Sequence, residues 1–175
     1  MIIESIDDKN PKAPDQTTPL HLAAKNGQIE VCQLILENVE DKNPKDIGGL
    51  TPLHAASASG HQEICKLILQ NIQDKNPRDI NGYTPLHSAA GHGQLEIVQI
   101  ILKSTLDRNP RDIYGVTPLH LASKNGHLPI CQLILQNVQD KNPECNEGQT
   151  PFQLALENDK VAVIEFFQYA FLNLC

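Results

Sequence analysis

Seven histidines and five cysteines are the residues of this 175-residue chain best suited to hold a metal or move a proton. Four of the histidines, His21, His54, His87 and His120, recur at a constant step of 33 residues, and Cys32 and Cys65 keep the same step. Imidazoles and thiolates at regular intervals are the raw material of a zinc site. The step argues against one. Equivalent positions on successive packed helices lie ~8–10 Å apart. A metal–nitrogen bond is only ~2 Å long, so neighbouring copies cannot share an ion. The expected role of the four imidazoles is structural, each bonded to a threonine of its own unit and to loop backbone. Cys32, Cys65 and Cys131 lie in apolar segments, fail as ligands on the same geometry, and read as small buried hydrophobes. His61, His92 and His127 fall near turns between helices and read as surface or capping residues.

A nucleophilic serine or cysteine needs a base and an orienting group within hydrogen-bond reach. Every candidate in this chain is a repeated position, and nothing converges on a unique pocket. The glycines are spread through turns instead of forming a phosphate-binding loop. The sequence therefore predicts no catalytic residue, no metal, no cofactor and no enzyme.

Bulk composition narrows the classes further. Hydrophobic residues make up 40% and charged residues 20%, a globular composition with enough length for one core. Fourteen Lys and Arg stand against 21 Asp and Glu, giving a net charge of -7. That balance, without a basic run or an aromatic platform, excludes a nucleic-acid binder, whose affinity comes largely from neutralising phosphates. An odd number of cysteines with no C-x-x-C pair points to a reducing, intracellular compartment, the cytoplasm. No basic segment followed by an apolar run opens the chain, so no secretory signal is expected. The apolar stretch from Val161 to Cys175 is too short to span a bilayer and is broken by Glu165, Gln168 and Asn173.

The elements that carry these residues repeat. Thr18-Pro19, Thr51-Pro52, Thr84-Pro85, Thr117-Pro118 and Thr150-Pro151 share the step of 33, as do Asp8, Asp41, Asp74, Asp107 and Asp140. The chain divides into units 8–40, 41–73, 74–106, 107–139 and 140–175. In the second unit Thr51 is placed to cap a helix with Pro52 at its first position, where a missing N–H costs nothing. That helix runs to Gly60, and a second covers His61 to about Asn71, with Ile64, Leu67 and Ile68 on one apolar face. The turn-rich segment that follows, 74–82, projects as a hairpin-like loop. One unit alone cannot bury its apolar face, so stacking of neighbours must close the core. Ala23, Ala56, Ala89, Ala122 and Ala155 let adjacent pairs approach closely.

Thr-Pro-Leu-His-x-Ala at a period of 33 resembles the ankyrin repeat. The motif stands in phase at residues 18–23, 51–56, 84–89 and 117–122, and as Thr150-Pro151-Phe152-Gln153-Leu154-Ala155 in the fifth unit. The resemblance implies an all-α helical solenoid of helix-turn-helix units with projecting hairpin loops. The glycine that usually ends the second helix is replaced by Val39, Ile72, Thr105 or Val138. Asn38, Asn71 and Asn137 are then expected to take the left-handed conformation instead. Residues 1–7 match the tail of a second helix, as though the chain began inside a longer array. The C-terminal helix, with Val161, Val163, Ile164, Phe166, Phe167, Phe171, Leu172 and Leu174, looks apolar nearly all round. Either more protein beyond it, a partner or a second copy covers it, with Phe166, Phe167, Phe171 and Leu172 as candidates for homodimer formation, or it stands as an unusual but self-sufficient cap.

Function is sought in what differs between units, because the scaffold explains what they share. Similar proteins bind another protein through hairpin tips and the exposed face of the first helix. Matching positions here are Ile47 and Leu50; Ile80, Asn81 and Tyr83; Ile113, Tyr114 and Val116; and, on first helices, Ala58, Ser59, His92, Lys124 and Asn125. Tyr83 and Tyr114 are expected to form one apolar patch on adjacent tips, suited to a binding hot spot. Lys12, Lys45, Arg78 and Arg111 form a basic row, broken by Glu144, beside an acidic row of Asp46, Asp79 and Asp112. The pair of rows reads as a solvated and mutually neutralising face or, alternatively, as a face for a partner with an acidic stripe. The family also implies an asparagine hydroxylation site at Asn43, Asn76 and Asn109. The expected function is a protein-interaction scaffold. The alternatives are a regulatory or targeting segment of a larger enzyme, channel or effector, and self-association through the C-terminal helix.

Overall fold

A computed structural model describes residues 10–172, and among them ten helices and no strands occur. The first helices of successive pairs are α1 (Pro19–Lys25), α3 (Pro52–Ser59), α5 (Pro85–Gly91), α7 (Pro118–Asn125) and α9 (Pro151–Glu157). Their antiparallel partners are α2 (Ile29–Asn38), α4 (Gln62–Asn71), α6 (Leu95–Ser104), α8 (Leu128–Asn137) and α10 (Val161–Leu172). Each first helix packs on the next first helix, and each second helix on the next second helix, so the chain is a stack of pairs. Leu20, Leu53, Leu86 and Leu119 and, on the second helices, Ile35, Ile68, Ile101 and Ile134 form a continuous buried core. The segment 1–7, read as the tail of a further helix, lies outside the described residues.

The repeated histidines join unit to unit. In the second unit the Thr51 N–H donates to His54 Nδ1 at 3.1 Å, which leaves the imidazole proton on Nε2. From there it donates to the Tyr83 carbonyl of the next hairpin at 3.1 Å. His21, His87 and His120 reach the carbonyls of Leu50, Val116 and Gln149 at 3.0, 3.1 and 3.1 Å. Each imidazole therefore satisfies a helix N-terminus and ties it to the following loop. His61 and His127 act at the other helix end. Their Nε2 atoms lie 3.0 and 3.2 Å from the carbonyls of Lys25 and Gly91, the last residues of α1 and α5.

Hairpin tips are joined through their backbones. The N–H groups of Ile47, Ile80, Ile113 and Asn146 donate to the carbonyls of Asp15, Gly48, Asn81 and Tyr114 at 2.8–3.0 Å. Such close approach needs Gly49, whose φ is +78° and where a Cβ would fall 2.8 Å from the Ile80 nitrogen. Gly49→Ala is expected to cost ~2 kcal/mol or more in denaturant unfolding. Gly148, at φ +75° with open space around it, is the control in which only the backbone strain remains. Equal losses at the two positions would show that the approach of the hairpins contributes nothing.

Three expectations need correction. First, Asn38, Asn71 and Asn137 are not left-handed. They remain in their helices, which end at extended Val39, Ile72 and Val138. Their side-chain amides donate back to Leu34, Leu67 and Leu133 carbonyls at 2.8–2.9 Å. Lysines then do the work of the missing glycine. Lys42, Lys75 and Lys141 curl back so that Nζ donates to the terminal carbonyls of Leu36, Leu69 and Leu135. A cation there also suits the negative end of the helix dipole.

Second, the basic and acidic rows do not neutralise one another. Lys45, Arg78 and Arg111 each donate to the backbone carbonyl one unit onward, at Arg78, Arg111 and Glu144, over 2.8, 2.7 and 2.6 Å. Asp46, Asp79 and Asp112 each accept two N–H groups of their own hairpin, at 2.7–2.9 Å.

Third, Phe167 of the C-terminal helix is not available to an interface. Phe167 is fully buried, 6.0 Å from the Phe152 ring, and cannot serve an interface between copies. Phe166 is half-buried, and the side chains of Phe171 and Leu172 lie outside the described residues. Exposed Gln168 stands where Leu36, Leu69, Leu102 and Leu135 are buried. Leu156, 45% exposed, stands where Ala24, Ser57, Ala90 and Ser123 are fully buried. At both positions the residue type of the fifth pair differs from that of the other four.

Candidate protein-interaction surface

Hairpins and first helices meet at one face of the stack, and the residues on that face differ from unit to unit. A groove of about 560 Å³ runs along it across the first three pairs. That size lies within the ~300–1,000 Å³ usual for binding pockets. Small residues, Ala55, Ala58 and Ser88, line it together with the aliphatic Leu22 and Leu50. Asp15 and Asp46 enter from the hairpins, while Lys25, Ser59 and His92 come from the helix ends. Leu22 and Leu50 are both exposed large hydrophobic residues.

The groove therefore gathers Leu50, Ala58, Ser59 and His92 among the residues singled out from sequence. It adds Asp15, Thr17, Leu22, Lys25, Ala55 and Ser88, which were missed. The signal for them was present. Leu22 aligns with Ala55, Ser88, Leu121 and Leu154 at the step of 33, so that row varies where the motif around it does not.

Tyr83 and Tyr114 are placed differently from one another. Tyr83 aligns with Leu50 and Val116 and lies against its own first helix. Its ring stacks on His87 with centroids 4.8 Å apart. Its hydroxyl would stand 3.6 Å from a Cβ placed on Gly91, so the small residue in α5 keeps that space clear. Burial pushes the Tyr83 hydroxyl up to about 12, with Asp112 and Asp79 adding to the shift. Tyr114 instead stands exposed at a hairpin tip. The single apolar patch expected from the two tyrosines does not follow from this placement. Ile47 and Ile80 are each 69% exposed, and Ile113 is exposed too, so these tips do not tuck beneath their hairpins. Asn81 is exposed, but its backbone is used twice by the scaffold, as donor to Asp79 and as acceptor from Ile113. Val116 is half-buried. Lys124 and Asn125 are exposed, and the Asn125 amide donates to the Gly91 carbonyl at 2.7 Å.

The protonation states fit a scaffold better than a reactive site. Burial holds His54 and His87 down at about 4 and lowers His21 and His120 in the same direction. Burial also raises the thiols of Cys32 and Cys131 to about 11 and Cys65 to about 12, which suppresses the reactive thiolate. Among the described residues no group of three His, Cys, Asp or Glu is placed to hold a metal ion, and no helix is long and apolar enough to cross a membrane. Asn43, Asn76 and Asn109 are half-buried at the start of the loops. Each turns its side-chain oxygen inward with no hydrogen-bond partner among the described residues.

Comparison with known proteins agrees with this architecture. The family model described as ankyrin repeats, in three copies, matches four overlapping stretches, residues 1–79, 40–112, 70–145 and 104–173. No curated protein matches the chain. Ankyrin repeats are generally protein-interaction modules and typically not enzymes. With helix pairs, histidine ties and family matches in agreement along nearly its whole length, the chain belongs to the ankyrin repeat family.

Proposed function

We propose that this chain is an interaction module that binds another protein through the concave surface formed by its hairpins and first helices. The observation that carries the reading is the groove over the first three pairs. Its wall and lining residues, Leu22, Leu50, Ala55 and Ala58, vary between units and leave aliphatic surface open. The shared residues, by contrast, are occupied in joining units together. Tip residues Ile47, Ile80, Ile113 and Tyr114 extend the available surface beyond the groove. A photo-crosslinking amino acid at Ser59, inside the groove, is expected to capture a partner from cell extract. The same group at Glu63 on exposed α4 should not. Equal capture from both positions would remove the concave face from consideration.

The asparagine sites are a separate matter of modification. Hydroxylation at Asn43, Asn76 and Asn109 rests on the family likeness, and their half-buried placement means that an enzyme would have to open the loop to reach them.

A further inference from the structure

The groove is unequal in charge from edge to edge. Asp15 and Asp46 enter it from the hairpins, and neither forms an ion pair among the described residues. One oxygen of each is already committed. Asp15 Oδ1 accepts the Thr17 N–H at 3.0 Å, and Asp46 Oδ1 accepts from Gly48 and Leu50 at 2.9 and 2.8 Å. Hydrogen bonds of this kind favour the ionised carboxylate, and the Asp15 carboxyl is accordingly held below its usual range, chiefly by Thr17. His21 and His54 also line the groove, but burial lowers both and they supply no compensating charge at neutral pH. Lys25 is the one lysine or arginine in the lining, and it closes α1 at the far end of that helix. Seven residues of helix separate the ends by ~10 Å. Two carboxylates thus stand on one rim, aliphatic surface lies between, and a single ammonium stands on the other.

We propose that this groove takes an extended peptide segment of a partner protein in which an aliphatic side chain stands beside a lysine or arginine. The aliphatic group seats between Leu22 and Leu50 over Ala55 and Ala58, and the basic group meets Asp15 and Asp46. The net charge of -7 on the chain further favours the approach of a basic segment. This inference rests on the concave face being the binding surface and adds the chemistry of what it receives.

The test is selection of random dodecapeptides displayed on phage against the whole chain, followed by titration of the enriched sequences as labelled synthetic peptides. Enriched peptides are expected to place Leu, Ile or Val beside Lys or Arg. Their affinity for the native chain should fall with added salt, and it should fall ~10-fold for the Asp15→Asn, Asp46→Asn double variant, whose remaining binding should depend less on salt. Asparagine keeps the oxygen that closes each hairpin turn, so this variant retains the fold while losing the charge. Lys25→Gln should bind as well as the native chain or better. Enrichment of acidic or uncharged peptides, or full affinity in the double variant, would overturn the charge assignment alone. No enrichment at all, or enriched peptides that still bind after Ala58→Phe fills the groove, would overturn the concave-face reading with it.

Discussion

Acidification from pH 7 to pH 5 is expected to remove about 4 kcal/mol of folding stability through His54 and His87 alone. Both imidazoles are held near 4 in the folded chain, against an ordinary value of 6.5, because they are buried. An imidazole harder to protonate when folded draws protons to the unfolded chain first. The full stability is therefore present above pH 6.5, is lost as the pH falls from there to 4, and then levels off with respect to these groups. His21 and His120 shift in the same direction and add to the loss. The fifth unit supplies the control. There Gln153 takes the histidine position, and its side-chain oxygen accepts the Thr150 N–H at 2.8 Å. Replacing His54 and His87 by glutamine should lower stability at pH 7, since two ties to hairpin carbonyls are lost. It should also flatten the decline toward pH 5 by about 4 kcal/mol. Urea unfolding at a series of pH values gives both quantities. An unchanged slope in the double variant would show that the histidines do not govern acid sensitivity.

The second large effect is expected at Phe167. It is fully buried and carries the contact of the last helix with Phe152, so Phe167→Ala should cost ~3–5 kcal/mol. In a stack each pair touches only its neighbours, and the loss should stay local. Amide exchange is expected to accelerate across Val161–Leu172 while Ile68 and Ile101 in the interior keep their protection. Phe166→Ala, at a half-buried position, should do much less. Uniform loss of protection along the chain would mean that the array unfolds as a single unit and that the helix is not separable.

The architecture was legible because its cause is periodic. Thr, Pro, Leu, His and Ala at fixed offsets specify a cap, a first turn, a core contact, a tie and a close approach, and they recur together in the first four units. The second-helix terminus was harder to read, because the stabilising group is distant from the gap it fills. Lys75 serves a carbonyl six residues back, at Leu69, and nothing local marks a lysine as a cap. The charged rows misled for a related reason. Their shortest contacts are to backbone carbonyls and N–H groups, which carry no letter in a sequence, and the carboxylates that Arg78 and Arg111 do meet, Asp107 and Asp140, belong to a different row. Tyr83 was placed on a tip by alignment, whereas its ring is held by His87 four residues on. Leu156 and Gln168 were legible in principle. Their mismatch with the earlier units becomes meaningful only once burial shows what their counterparts touch.

The ladder that joins one hairpin to the next has a consequence for inheritance. Every junction is made by the same donors and acceptors, so a segment excised between equivalent positions leaves two ends that fit each other as well as the originals did. The length of the array is therefore open to change by whole steps of duplication or deletion, with no new contact to invent. Leu22, Leu50 and Ala58 do not share that freedom. Leu22 comes from one unit and Leu50 and Ala58 from the next, and such an event between them would separate the walls of the groove while leaving a well-folded protein. Lineages can thus alter how long this molecule is far more readily than they can preserve what it grips.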